Sequence, residues 1–483
     1  MRRRSIDELA GQVGGRVVGS DGTGATEVGP DVVTDSRLAT PGALFVARPG
    51  EHADGHDFVP AAAAAGAAAV LGTRPTGLPT VVVEDVVAAL GRLGRVVVDQ
   101  TPGLQVVGVT GSSGKTSTKD LLAQVLEPVG PCVSPAGSFN TEVGVPLTAT
   151  RVEPGTRFLV SEMGARGIGH IRYLCGLTPP RVGMVLNVGT AHLGEFGDRD
   201  TVARAKGELV EEVPADGWAV LNADDPRVLG MRPRTRARVA LFAVDHRPPT
   251  AERQVWAEQV RTAGPGRYAF RLHAADDAGE QQADVELTGL GRHQVANAVA
   301  AAAAALCVGL DLDQVATGLS AAGPRSHWRM ELSTRPDGVL VLNDAYNANP
   351  DSMQAALTAA AELVADQRRT HPGARLVAVL GEMLELGEQS GQEHRALGEA
   401  AAAAGVTELL VLGEHAPDVV AGFDGRGSST PGAVGATVLA TKEDAAPSLS
   451  GRLAPGDVVV VKASRACELQ TVAEQLALSG EST

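Results

Sequence analysis

The run Val106-Val-Gly-Val-Thr-Gly-Ser-Ser-Gly-Lys-Thr-Ser-Thr118 constrains this chain more than any other segment. Apolar residues lead into a glycine turn, and a helical pattern begins at about Lys115. A strand, a glycine loop and a helix in that order belong to a parallel sheet covered by helices. Glycine lets the backbone wrap closely around a phosphate, and the free N–H groups of the helix's first turn face the anion. Thr110, Gly111, Ser112, Ser113, Gly114, Lys115, Thr116 and Ser117 are therefore expected to hold a nucleotide's phosphates. Lys115 would reach the terminal phosphates and the Thr116 hydroxyl would meet magnesium. The segment is not a full GxxxxGK[ST] motif, because Val109 stands where the first glycine would fall. A glycine turn with a chance lysine is the alternative reading.

A chain of 483 residues is too long for one ordinary core, and roughly 150 residues per domain suggests about three. Turn signals at Thr101-Pro102-Gly103 and Gly323-Pro324 divide it into 1–103, 104–323 and 324–483. The first part reads as a small α/β unit with strands at 43–47, 68–71 and 80–83. The alanine-rich run 61–70 reads as a buried helix. The middle part alternates strands at 106–110, 158–161, 182–187 and 218–222 with helices, ending in a helix over 291–306. The last part, with strands at 338–343, 375–380, 408–412 and 457–462, reads as a second doubly wound α/β domain. Polar stretches near 245–283 and 423–436 read as surface excursions.

A net charge of -15, without a dense Lys/Arg run, argues against general nucleic-acid binding. Arg2-Arg3-Arg4 is followed by Ser5-Ile6-Asp7-Glu8, which puts acids where a signal peptide needs an apolar stretch. No segment approaches the ~18 apolar residues of a membrane span. Cys132, Cys175, Cys307 and Cys467 show no paired spacing. That fits a reducing cytoplasm and suggests neither a zinc site nor a disulfide framework.

The Thr110–Thr116 form of the loop resembles that of the Mur ligases and folylpolyglutamate synthases. Further segments follow in the Mur ligase order. Gly137-Ser-Phe-Asn140-Thr141-Glu-Val-Gly144-Val-Pro146 resembles the family's Asn-Thr-x-x-Gly-x-Pro segment. Glu162-Met-Gly-Ala, Asn187-Val-Gly-Thr-Ala-His192 and Ala205-Lys206-Gly-Glu resemble its metal-binding positions, Lys206 standing where several members carry a carbamylated lysine. Gly291-Arg-His293-Gln294-Val-Ala-Asn297 resembles its Gly-x-His-Asn-x-x-Asn helix, with Gln294 in place of the usual Asn. Asp35-Ser36-Arg37 and the segments after it resemble a UDP-sugar-binding domain.

The resemblance implies an ATP-dependent amide-bond ligase of three-domain architecture. Lys115, Glu162, His192 and Lys206 would be catalytic, and Thr116, Glu162, His192 and Lys206 would hold Mg2+. His293 and Asn297 would face adenine, Arg329 the phosphates and Asp344 the ribose. Ser36 and Arg37 would contact the uridine nucleotide, and Asn140 and Thr141 the substrate. The Tyr346-Asn347-Ala-Asn349-Pro350 segment resembles the branch that forms the pentapeptide precursor, and the Asp-Asn-Pro-Arg motif of the diaminopimelate-adding branch is absent. This implies UDP-MurNAc-tripeptide and D-alanyl-D-alanine as substrates, with Tyr346, Asn347 and Asn349 near the dipeptide. The protein is expected to act as a cytoplasmic monomer. Another Mur-type ligase adding diaminopimelate or lysine is the nearest alternative. An ATP-hydrolysing switch and an inactive binding module stand further off.

Overall fold

The computed structural model describes residues 1–19, 26–50, 53–189, 193–424 and 435–479. Three sheets organise it, with a two-stranded pair (Arg4–Ser5 with Glu27–Val28) beside the first. The N-terminal sheet has five short strands, ordered Arg16–Val18, Thr80–Val82, Ala69–Gly72, Leu44–Val46 and Val32–Val33. All its pairings but the first are parallel.

The central sheet has nine strands. From one edge run Cys132–Val133, Phe158–Glu162, Gln105–Thr110, Val182–Val185, Trp218–Asn222 and Arg238–Val244, all parallel. Valine-rich strands buried on both faces fit this arrangement, because helices cover each side. The helices Lys115–Leu126, His293–Cys307 and Leu312–Ala321 cover one face, and His170–Leu177 and Arg199–Glu211 the other. In His293–Cys307 the alanines from Ala298 to Ala305 are fully buried, and their small side chains let this helix lie close to the sheet.

Strand Gln105–Thr110 is the pivot of this layout. The chain leaves it toward Phe158–Glu162 on one side, then crosses to Val182–Val185 on the other. Where strand order reverses, the flanking helices part and leave a crevice at the carboxyl ends. The third sheet repeats the plan with Leu340–Asn343, Val458–Lys462, Leu376–Leu380, Val406–Val411 and Gly435–Val438 parallel, and Glu331–Thr334 antiparallel at one edge. Residues following its strands meet residues following the central strands, so the two crevices face each other.

Two sequence expectations are corrected. The run 61–70 is not one helix: the helix Val59–Ala64 stops at a turn through Gly66 (φ 104°), and Ala69–Gly72 is a strand. Alanine favours helix, but pairing with both Leu44–Val46 and Thr80–Val82 outweighs that propensity here. The polar stretch 245–283 is not a surface excursion. Arg253–Thr262, Tyr268–Asp276 and Gly279–Glu286 extend the central sheet, the first parallel to its neighbour and the rest antiparallel. Val255, Phe270, Leu272 and Val285 reach the core, while charged residues such as Arg271 and Asp284 pair with each other outside it. Of the other polar stretch, residues 425–434 lie outside the described residues.

Candidate active site between two facing sheets

The phosphate loop leaves strand Gln105–Thr110 and turns at Gly114, which caps the helix Lys115–Leu126 with φ 78°. A side chain there would adopt a left-handed conformation and run into the Asn297 amide oxygen. Asn187, just beyond strand Val182–Val185, holds the loop in shape. Its Oδ1 accepts the N–H groups of Ser112 at 2.9 Å and Ser113 at 3.0 Å, and its Nδ2 donates to Ser113 Oγ at 3.1 Å and Ser113 O at 3.3 Å. Lys115 Nζ folds back onto Gly111 O at 2.6 Å.

Behind the loop the side chains form a hydroxyl–carboxylate cluster. Thr116 Oγ1 lies 3.0 Å from Glu162 Oε2 and 2.8 Å from Ser138 Oγ, and Asn140 Nδ2 donates to Glu162 Oε1 at 2.8 Å. From the third sheet, Arg329 donates to Ser138 Oγ at 3.2 Å and Thr116 Oγ1 at 3.4 Å. The Arg329 guanidinium lies 4.2 Å from the centre of the Tyr346 ring, and the Tyr346 hydroxyl accepts Ser138 N–H at 3.3 Å. Arg465 stacks on the far side of this group, over Trp328 and Tyr346.

Thr116, Ser138, Asn140, Glu162, Arg329 and Tyr346 line a cavity of about 200 Å³ together with Lys206, Thr141, Asn347 and Asn349. Lys206 is 3% exposed and has no hydrogen bond or ion pair to any described residue. Burial, with Lys115 nearby, pushes its amine far below the usual lysine range. Burial also lowers Lys115, Arg329 adds to the effect, and Glu162 opposes it. Lys115 and Arg329 face Glu162, so the cavity is built for anions.

A neighbouring cavity of about 260 Å³ takes in His293, Asn297, Asp344 and Lys462 beside Ser113 and Gly114. Asn297 accepts from Thr118 Oγ1 at 3.3 Å and donates to Gln294 Oε1 at 3.0 Å, so Gln294 orients the amide expected to meet adenine. Burial lowers the His293 pKa and keeps the ring neutral. Asp344 accepts Met330 N–H at 3.0 Å and pairs with buried Lys462, which also donates to Asn347 O at 2.9 Å.

Most sequence-expected residues of the central and third parts thus gather in two adjoining cavities, while Thr110 is fully buried and, like Gly111, lines neither. Ser36 and Arg37 sit apart, in a turn beside the N-terminal sheet: Ser36 is buried, and the exposed Arg37 pairs with Asp35. Asn349 also caps the helix Pro350–Gln367, its side chain accepting Ser352 N–H at 2.9 Å. Thr141 Oγ1 accepts Gly144 N–H at 3.4 Å. His192 lies outside the described residues. Sequence reasoning gave no role to Asn187, Ser138 or Lys462. A lysine closing the run Val458-Val-Val-Val-Lys462 was the signal for the last, since a charge ending a buried strand needs a partner.

Oxygen donors suit a hard cation. Thr116 and the 1% exposed Glu162 supply them. Among the described residues no cluster of three or more His, Cys, Asp or Glu is present.

Family models of the Mur ligases cover most of the chain. The "Mur ligase family, catalytic domain" matches residues 31–107, the "Mur ligase middle domain" 109–305 and the "Mur ligase, glutamate ligase domain" 328–465. The chain belongs to the Mur ligase family. It is 45% identical to the UDP-N-acetylmuramoyl-tripeptide–D-alanyl-D-alanine ligase of Mycobacterium bovis, over 98% of this chain and 97% of that one. It is 38% identical to the Escherichia coli enzyme of the same name, over 80% and 81%. MurF from Acinetobacter baumannii superposes with a TM-score of 0.82 at 29% identity, covering 99% of both chains. MurF from Thermotoga maritima, solved in complex with ADP, gives 0.73 at 29%, covering 92% of this chain and 97% of that one.

Proposed function

We propose that this chain joins D-alanyl-D-alanine to UDP-N-acetylmuramoyl-tripeptide, with ATP converted to ADP and phosphate, as a step of peptidoglycan precursor synthesis. The observation that carries this reading is the shared cavity, where Lys115, Glu162 and Lys206 face Tyr346, Asn347 and Asn349. Phosphoryl transfer and amine delivery thereby meet in one place, as amide ligation requires.

A carboxylate resists amine attack because oxide would have to leave. The γ-phosphoryl group of ATP moves to the tripeptide's terminal carboxylate, giving an acyl phosphate. The dipeptide amine attacks its carbonyl carbon, and phosphate departs. Lys115 and Arg329 offset charge on the transferring phosphoryl group, and the loop N–H groups orient it. His293 and Asn297 are assigned to adenine, Asp344 to the ribose, Asn140 and Thr141 to the peptide end, and Ser36 and Arg37 to the uridine nucleotide.

Thr116 and Glu162 would hold Mg2+, which when bound offsets phosphate charge. Lys206 joins them as a carbamate, and His192 completes the set. Only an uncharged amine adds to carbon dioxide, and the buried setting of Lys206 favours that form. A single chain supplies every residue named, which favours a monomer. Dependence on ATP and four unpaired cysteines favour the cytoplasm; among the described residues no helix is long and apolar enough to cross a membrane.

The test measures phosphate release from ATP with UDP-MurNAc-tripeptide present and the dipeptide added or withheld, and weighs the product. Release that needs both, with a pentapeptide product, is expected. Turnover supported by a free amino acid instead of the dipeptide would refute the specificity assignment.

A further inference from the structure

Among the described residues, two arginines line the catalytic cavity. Arg329 is engaged there by Thr116, Ser138 and the Tyr346 ring. Arg166 is not: it is exposed, and its guanidinium has no hydrogen bond or ion pair to any described residue. On an open surface a bare guanidinium is commonplace, because water satisfies its N–H donors. In a cavity that substrate fills, the same group needs an acceptor, or its desolvation goes uncompensated.

Arg166 is carried to this place by a short loop between strand Phe158–Glu162 and helix His170–Leu177, fastened at both ends. At the near end Met163 N–H donates to Val109 O and Gly164 N–H to Asn140 O, each at 2.8 Å. The approach is close enough that a Cβ on Gly164 would lie 2.9 Å from Asn140 Oδ1. At the far end the buried carboxylate of Glu208 accepts the N–H groups of Gly169 and, at 3.0 Å, Arg172. Between them Arg166 N–H donates to His170 Nδ1 at 3.2 Å, so the ring proton sits on Nε2, which lies 3.3 Å from Glu142 Oε2. The loop therefore shares one platform with Asn140 and Thr141, the residues assigned to the peptide end of the acceptor, and all three of these side chains line the cavity.

We propose that Arg166 is a specificity-determining residue that receives a second, non-reacting carboxylate on the last residue of the acceptor peptide. This rests on the ligase reading above. The reacting carboxylate has to lie near Lys115 and the Thr116–Glu162 pair, where it meets the phosphoryl group. Arg166 follows Glu162 by four residues, so their Cα atoms lie within about 14 Å of each other. The long arginine side chain and the carbon chain of a diacid such as 2,6-diaminopimelate cover that reach together. A guanidinium binds a carboxylate through two parallel N–H···O bonds, which fixes orientation as well as charge. Lysine at the same peptide position would instead bring an ammonium ion up to Arg166, a like charge that weakens binding. The cavity is thereby tuned to a diacid at the third position of the peptide and against lysine.

The experiment measures steady-state kinetics of wild type, Arg166→Ala and Arg166→Lys with D-alanyl-D-alanine and three UDP-MurNAc-tripeptides. These end in 2,6-diaminopimelate, in the same residue with its side-chain carboxylate amidated, and in lysine. Wild type should favour the free diacid over the other two by about tenfold or more in KM, the size expected of one charge-assisted pair. Arg166→Ala should raise the KM for the diacid by a similar factor with kcat nearly unchanged, and Arg166→Lys should recover part of it. The lysine peptide, freed from a like charge, should bind Arg166→Ala no worse than wild type. An equal rise for all three peptides would mean that Arg166 meets a group they share, such as a phosphate, and would overturn the proposal, as would no change with any of them. A wild type that makes no pentapeptide from any of the three would overturn the ligase reading itself.

Discussion

Replacing Asn187 with alanine isolates what holds the phosphate loop in shape. The side chain makes four hydrogen bonds to Ser112 and Ser113, two of them to backbone N–H groups. At a net ~0.5–1 kcal/mol each, their removal costs about 2–4 kcal/mol. The freed N–H groups can turn to water in the empty loop, so much of this cost is deferred until ATP must order the segment again. At ~1.4 kcal/mol per tenfold, ATP binding should weaken roughly 30- to 700-fold. Titration calorimetry with a non-hydrolysable ATP analogue reads this directly, and the affinity for the UDP-linked peptide serves as control. Asn187→Asp keeps the two acceptor contacts but loses both donor contacts and sets a negative charge beside the phosphates. It should bind ATP no better than the alanine variant. Unchanged ATP affinity in Asn187→Ala, with an unchanged melting temperature, would refute the claim that this residue preorganises the loop.

Three other outcomes are expected. Gly114→Ala should weaken ATP binding, because φ 78° costs an L-residue about 1–2 kcal/mol and the new Cβ displaces Asn297; the KM for ATP should rise while that for the UDP-linked peptide holds. Lys206→Met should abolish turnover yet raise stability in carbon-dioxide-free buffer. The buried amine has a lowered pKa, so the unfolded chain binds more protons and wild-type stability climbs with pH toward 10.5; melting curves should show the variant's advantage shrinking over that range. His394 is likewise lowered by burial, from an ordinary 6.5. The unfolded state therefore takes up its proton first on acidification, and this residue's contribution falls as pH drops below 6.5 and is flat above it. In His394→Gln that part of the pH dependence, followed by chemical denaturation, should vanish.

The chemistry of the phosphate loop was legible in the sequence because it is local. Strand, glycine turn and helix start lie within thirteen consecutive residues, 106–118, and each has its own backbone reason. Glu162 and Lys206 were legible only through their order along the chain, since nothing in their neighbours distinguishes a buried cavity lysine from a solvated one. Asn187 and Ser138 were not legible as site residues, and Lys462 was legible only as a buried charge in need of a partner. Their roles depend on which strands are adjacent, and adjacency in a crossover sheet is not written in sequence distance. The stretch 253–286 was misread for a related reason. Polar and charged residues are interleaved with the apolar ones along its strands, so the composition looks polar although residues such as Phe270 and Leu272 reach the core.

The way the two sheets meet explains why nucleotide and amine chemistry are coupled. Each crevice alone is incomplete: the central sheet offers the loop, Thr116 and Glu162, and the third offers Arg329, Asp344 and Tyr346. Several polar contacts join them at the site, and Leu290 of the central part packs into the apolar core of the third. Arg329 reaches Thr116 and Ser138, Tyr346 reaches Ser138, and Glu385 reaches Gly194. Polar bridges of this kind gain little net stability in water. Three of these four contacts converge on the hydroxyls and backbone beside Glu162, where phosphate charge has to be offset. The amine-bearing domain is thus placed by the same groups that ready the phosphoryl transfer. An acyl phosphate formed in that arrangement meets the dipeptide before water, because the side chains that line its cavity also hold the domains together.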